Sequence, residues 1–161
     1  MFTFIGRYFW LLCIVLAVYN FARPQPGDER STSGFGPGVE ELAILRRRIL
    51  FANLVPWLVM GIGILLGGVP NIWHYFRPQD LNPYVWAWYL SGFALACVFA
   101  FWVIFRGGAE NAIKVRLVQF NLFGKDVQPT QRWIKLYAAF SPLFIVLWII
   151  FAWHLNAQVP K

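Results

Sequence analysis

Charge is scarce in this sequence, and where it is missing matters more than how much. Asp, Glu, Lys and Arg make up 13% of the 161 residues, where a soluble domain carries about 25%. Stretches 49–76, 84–105 and 136–153 contain none. That blankness argues against whole classes of chemistry. Proton relays, ion-coupled transporters and voltage sensors place ionisable groups inside their spans. Here the polar residues expected within spans are Asn20, Asn53, Ser91 and Ser141. Proteolysis inside a membrane would need Ser with His, or paired Asp, and neither is available there.

Histidine and cysteine are almost absent. His74 and His154 are the only histidines, and Cys13 and Cys97 the only cysteines. Both cysteines sit in apolar runs without metal-type spacing, and read as small apolar side chains. No H-E-x-x-H, G-x-S-x-G or phosphate-binding loop occurs. Asp80 and His74 fall near one expected interface and Glu110 stands alone near the other, so no acidic or histidine cluster forms. The chain is therefore expected not to be an enzyme, with no catalytic residue and no cofactor. No internal repeat is visible. A net charge of +7 could suggest nucleic acid, but no soluble basic module accompanies it. Nucleic acid is not an expected partner.

What the sequence has in abundance is apolar length. Hydrophobic residues make up 59% of it, and about 20 helical apolar residues cross a bilayer core of roughly 30 Å. Spans are expected at about 2–22, 49–70, 84–105 and 133–155. The first needs Arg7 to snorkel. Its rival reading is a signal peptide, but no small-x-small site precedes Arg23. Residues 23–38, RPQPGDERSTSGFGPG, read as a flexible linker. A helix resumes near Val39, with Glu40 and Glu41 suiting the dipole of its first turn. It continues to about Val69, with a bend expected near Pro56. Pro83 suits the first turn of the third span. Residues 109–123 place Ile113, Leu117 and Phe120 along one side and read as a short amphipathic helix on the membrane surface. Residues 124–128 then turn the chain, and Thr130 is a candidate cap for the last span. Pro142 threatens that span's hydrogen bonding, and Ser141 could satisfy part of the freed backbone. The expected fold is all-α, a single polytopic domain over 1–161: four transmembrane helices in an up-down bundle with one short cytoplasmic amphipathic helix.

The excluded charge is gathered on one side. Arg7, Arg77 and Lys161 fall on the side of the termini. Arg23, Arg30, Arg46, Arg47, Arg48, Arg106, Lys114, Arg116, Lys125, Arg132 and Lys135 fall in loops 23–48 and 106–132 or at their edges. Basic residues in short loops favour the cytoplasm. Both long loops are thus expected to be cytoplasmic and both termini external, in a bacterial-type inner membrane. Nine tryptophans suit interfacial belts.

Three constellations could carry function. Gly63 and Gly67 form a G-x-x-x-G pair, and Gly92, Ala96 and Ala100 repeat at four-residue spacing. Such small faces let membrane helices approach closely, either within one chain or against a partner. His74 and His154, each after a tryptophan, could face each other at the helix ends as haem ligands. That is the weakest reading, because membrane haem ligands lie within spans. Arg46, Arg47, Arg48, Lys114, Arg116, Arg132 and Lys135 suit anionic lipid heads or an acidic partner. The leading expectation is a non-catalytic membrane protein acting through contacts with lipid and with another membrane protein or its own copies. Accessory subunits, assembly factors and immunity-type proteins all fit it. A homo-oligomeric channel lined by Asn and Ser is the alternative.

Overall fold

The computed structural model describes residues 2–22, 37–114, 120–122, 125–127 and 130–155. Helix α1 runs Phe2–Ala22, and α2 runs Pro37–Leu65. Two 3₁₀ turns, Ile72–Phe76 and Pro78–Asp80, lead into α3 at Pro83–Phe105. Helix α4 is short, Gly108–Lys114. Strands β1, Phe120–Leu122, and β2, Lys125–Val127, pair antiparallel, with Phe120 opposite Val127. Helix α5 spans Gln131–Leu155.

Among the described residues, three segments are long and apolar enough to cross a membrane: Arg47–Leu65 (19 residues), Pro83–Phe105 (23) and Gln131–Leu155 (25). At a rise of about 1.5 Å per residue they measure roughly 28–38 Å, enough for the hydrocarbon core. Their surfaces agree. Leu90, Val98, Phe101 and Phe105 of α3 and Leu143, Phe144, Leu147 and Phe151 of α5 are all exposed. Apolar surface on that scale is untenable in water and ordinary in lipid. In α1 the apolar stretch Gly6–Tyr19 is shorter than these three.

The helix ends follow their sequences. Asn82 caps α3, its Oδ1 accepting the Tyr84 N–H at 2.9 Å. Its carbonyl accepts the first helical bond, from Trp86 N–H at 3.0 Å. Such caps satisfy donors the first turn leaves orphaned. The Thr130 carbonyl opens α5 in the same way, accepting from Ile134 N–H at 3.2 Å. Pro142 lies inside α5 without interrupting it. Proline at 142 removes the donor that would bond the Ala138 carbonyl, and the Ser141 hydroxyl donates to that carbonyl at 2.8 Å. The expected role of Ser141 is met at the vacated acceptor.

Three expected elements differ. Helix α2 stops at Leu65 rather than continuing to about Val69, because Gly67 adopts φ +73°. The left-handed conformation is nearly free for glycine and ends a helix. The amphipathic helix expected over 109–123 is also shorter, Gly108–Lys114, and Phe120 belongs to a strand instead. Lys125–Val127, expected within a turn, is the second strand. Phe120 and Val127 favour extended backbone over helix, and in these strands this overrides the apolar spacing. Leu117 lies outside the described residues. Ala109 and Ala112 of α4 are buried, with Ile113 half-buried beside them. The helix is thus held by packing.

The chain divides into two compact units, one formed by Met1–Gly92 with Leu147–Lys161, the other by Phe93–Val146. The second has a small core of Val103, Ala109, Ala112, Ile134 and Ala138. The first is richer: Met60, Ile64, Val69, Ile72, Tyr75, Val85 and Tyr89 are buried, with Phe9, Trp10 and Trp57 against them. Here α1 seats on α2. The Phe9 and Trp57 rings meet edge-on at 6.5 Å. The Trp10 indole lies so close to Gly61 that an added Cβ would sit 2.5 Å from Cε3.

Gly61→Ala should therefore push α1 off its seat, at an overpacking cost of about 1–3 kcal/mol. The expected outcome is a lower thermal midpoint in detergent, with Gly67→Asn, where nothing lies within 4 Å, near the parent. Equal midpoints for Gly61→Ala and the parent would show that α1 is not seated there.

Candidate functional site

Residues 66–82 join α2 to α3 in the first unit, and they are folded rather than merely connecting. Beyond Gly67 the chain turns back, and Val69 N–H donates to the Gly63 carbonyl at 3.0 Å. Asn71, itself buried, opens the first 3₁₀ turn, its Oδ1 accepting from Trp73 N–H at 3.1 Å. That turn drives Tyr75 inward to 0% exposure. Its hydroxyl donates to the Met60 carbonyl at 3.0 Å, and its own carbonyl accepts from the Tyr89 hydroxyl at 2.8 Å. The Tyr75 and Trp88 rings pack edge-on at 5.4 Å. Asn82 closes the connection from the other end, donating from Nδ2 to the Gly68 carbonyl at 2.7 Å. Arg77 and Asp80 pair at 3.1 Å, so the segment carries no net charge apart from His74. Both polar atoms of the Gln79 amide, and the Arg77 Nε, are buried, and the structure pairs them with nothing among the described residues.

Glycine makes this packing possible. A Cβ on Gly63 would collide with the Tyr75 hydroxyl, and one on Gly68 with the Tyr84 ring. The Tyr75 hydroxyl is the far end of a side chain, but burial and its hydrogen bond leave it nowhere to go.

The sequence-derived candidates fall as follows. Gly63 is buried within α2, whereas Gly67 is exposed beyond the helix end. The two do not share one helix face. Gly92, Ala96 and Ala100 lie half-buried along α3. Ala100 packs against the core of the second unit. His74 is half-buried in the first 3₁₀ turn. His154 is exposed, with Nδ1 2.8 Å from the Ile150 carbonyl of its own helix. Among the described residues no group of three or more His, Cys, Asp or Glu could hold a metal ion. Arg47 and Arg48 are exposed in the first unit, and Arg132 and Lys135 in the second. The side chains of Arg46 and Lys114, and all of Arg116, lie outside the described residues.

Residues 71–83 read in the sequence as a short connection rich in interfacial aromatics; its internal bonding was missed, although part of the signal was present. Asn71 and Asn82 each precede by two residues an aromatic whose N–H they accept, the pattern of an Asx turn or helix cap. The seating of Trp10, Tyr75 and Tyr84 on glycines 12 to 51 positions away is invisible to local pattern.

These features define a class, a helical membrane-spanning protein with an internally bonded aromatic cap. No family model matches the chain, and comparison with curated proteins and with solved structures gave no match.

Burial pushes the Tyr75 hydroxyl up to about 12. An unfolded phenol ionises near pH 10, so the unfolded chain sheds this proton first. The stabilisation is complete below about pH 10 and is lost as pH rises towards the folded value. Melts in detergent should fall across that window, less so in Tyr75→Phe. An identical alkaline profile in both proteins would show that this hydroxyl does not titrate late.

Proposed function

We propose that this chain is a non-catalytic polytopic membrane protein that acts through contacts with another membrane protein or with its own copies. One observation carries the reading. The Asn and Ser side chains described within the spans are spent on their own helices. Asn53 Nδ2 donates to the Ile49 carbonyl at 3.1 Å, Ser91 Oγ to Trp88 at 2.7 Å and Ser141 Oγ to Ala138 at 2.8 Å. Residues so engaged offer little to a reacting group or a permeating ion. What remains is apolar surface and a few exposed cations. A channel lined by Asn and Ser would need Asn53 or Ser91 to exchange its helix carbonyl for the pore, and nothing favours that. Haem at His74 and His154 likewise gains no support.

In this reading α1 is the fourth span. Its packing supports that: Trp10 and Phe9 lie against α2, and a Cβ on Gly6 would sit 3.3 Å from the Trp73 indole nitrogen and 3.5 Å from Asn71. A helix held at two places belongs to the structural core. The up-down order then puts both termini and the aromatic cap on one side. The basic loops 23–48 and 106–132 lie on the other, cytoplasmic side of a bacterial-type inner membrane. Arg46, Arg47, Arg48, Lys114, Arg116, Arg132 and Lys135 would meet anionic lipid heads or an acidic partner there.

Purification from membranes in mild detergent should yield the chain in a defined complex or oligomer. A monodisperse lone monomer, intact on concentration, would contradict the contact reading. Orientation is read separately: alkaline phosphatase fused after Lys161 should be active and green fluorescent protein dark. The reverse pattern would invert the assignment.

A further inference from the structure

The connection 66–82 has three properties that together fit lipid better than water. It exposes large apolar side chains: Leu66 is 67% exposed and Leu81 66%, with Trp73 also open, and its one exposed charge, Asp80, is paired with Arg77. Much of its hydrogen bonding is internal. His74 N–H bonds Asn71, Arg77 N–H bonds His74, Asp80 N–H bonds Arg77 and Leu81 N–H bonds Pro78, all at 3.1–3.3 Å. The carbonyls of Gly68 and Tyr75 take side-chain donors from Asn82 and Tyr89. Bonds of this kind lower the cost of bringing irregular backbone close to the hydrocarbon region. Its one ion pair, Arg77 with Asp80, cancels its formal charge.

Leu81 is the sharpest clue. It holds φ 50°, the left-handed region that costs a side chain such as leucine about 1–2 kcal/mol. A turn under no other demand would take Gly or Asn here. A strained residue that is also apolar and exposed points to a use for its side chain. Leu58, Ile62 and Leu65 form an exposed apolar stripe along α2 at helical spacing, and this stripe leads directly into Leu66.

We propose that this cap is an interfacial anchor: the connection between α2 and α3 lies in the headgroup–acyl boundary, with Leu66, Trp73 and Leu81 inserted among lipid chains. The partner is the bilayer itself, and the interaction is apolar and independent of lipid charge. It differs from the basic-loop contacts of the proposed function and stands without them. The cap sets the depth of the α2–α3 pair, as interfacial tryptophans and leucines do in amphipathic anchors.

The test places a polarity-sensitive dye on Leu81→Cys in full-length protein carrying Cys13→Ala and Cys97→Ala, reconstituted in neutral phosphatidylcholine vesicles. Leu66→Cys serves as a second site should the first fail to fold. A protein labelled only at Cys97, exposed within α3, supplies the deep-lipid reference. The expected result is a blue-shifted emission, quenched several-fold more by lipids spin-labelled near the top of the acyl chain than by aqueous iodide. Iodide quenching at the level of free dye would put the cap in water and overturn the proposal. Shielding from both quenchers would overturn it in favour of a covering protein. Either result leaves the oligomer measurement of the proposed function to be decided on its own.

Discussion

Close approach of aromatic rings to glycine backbone is the contact on which the first unit depends. Trp10 over Gly61, Tyr75 over Gly63 and Tyr84 over Gly68 bring α1, α2, the 66–82 connection and the start of α3 together. In lipid the hydrophobic effect gives helices no reason to associate, since acyl chains are as apolar as leucine. Tight packing and hydrogen bonds must do that instead. Tyr75 and Tyr89 supply both, each ring filling space while its hydroxyl reaches a carbonyl, Met60 for Tyr75 and Tyr75 for Tyr89.

The same economy shapes the rest of the molecule. Ser141 meets the carbonyl that Pro142 frees, so α5 carries a proline without leaving an acceptor bare. Asn53 and Ser91 fold back on their own helices. With Asn53, Ser91 and Ser141 bonded to their own helices, the described chain has surfaces left to offer. Those surfaces are apolar along α3 and α5 and basic at Arg47, Arg48, Arg132 and Lys135. Functions that work by contact suit such an inventory.

Legibility in the sequence follows the range of the interaction. The helices at Pro83–Phe105 and Gln131–Leu155 were readable because span length and absence of charge are local properties. So was the partnership of Ser141 with Pro142. The end of α2 was misplaced by a few residues because Gly67 and Gly68 sit in an unbroken apolar run, where hydropathy sees no boundary. The 109–123 segment misled for another reason: its apolar spacing suits a helix, while its valines and phenylalanine suit a strand, and the strand prevails at Phe120. Gly63 looked like half of a helix-packing motif. Its real neighbours, Tyr75 and Tyr84, are set by a turn whose path no periodicity reveals.

A double-mutant cycle between Gly63→Ala and Tyr75→Phe tests the aromatic-on-glycine account most directly, read as unfolding free energy in detergent. The Tyr75 hydroxyl occupies the place a methyl at position 63 would need, so removing it makes room. Gly63→Ala should cost clearly less in the Tyr75→Phe background than in the parent, with a coupling of about 0.5–3 kcal/mol as for residues in contact. Additive effects of the two substitutions would contradict the account.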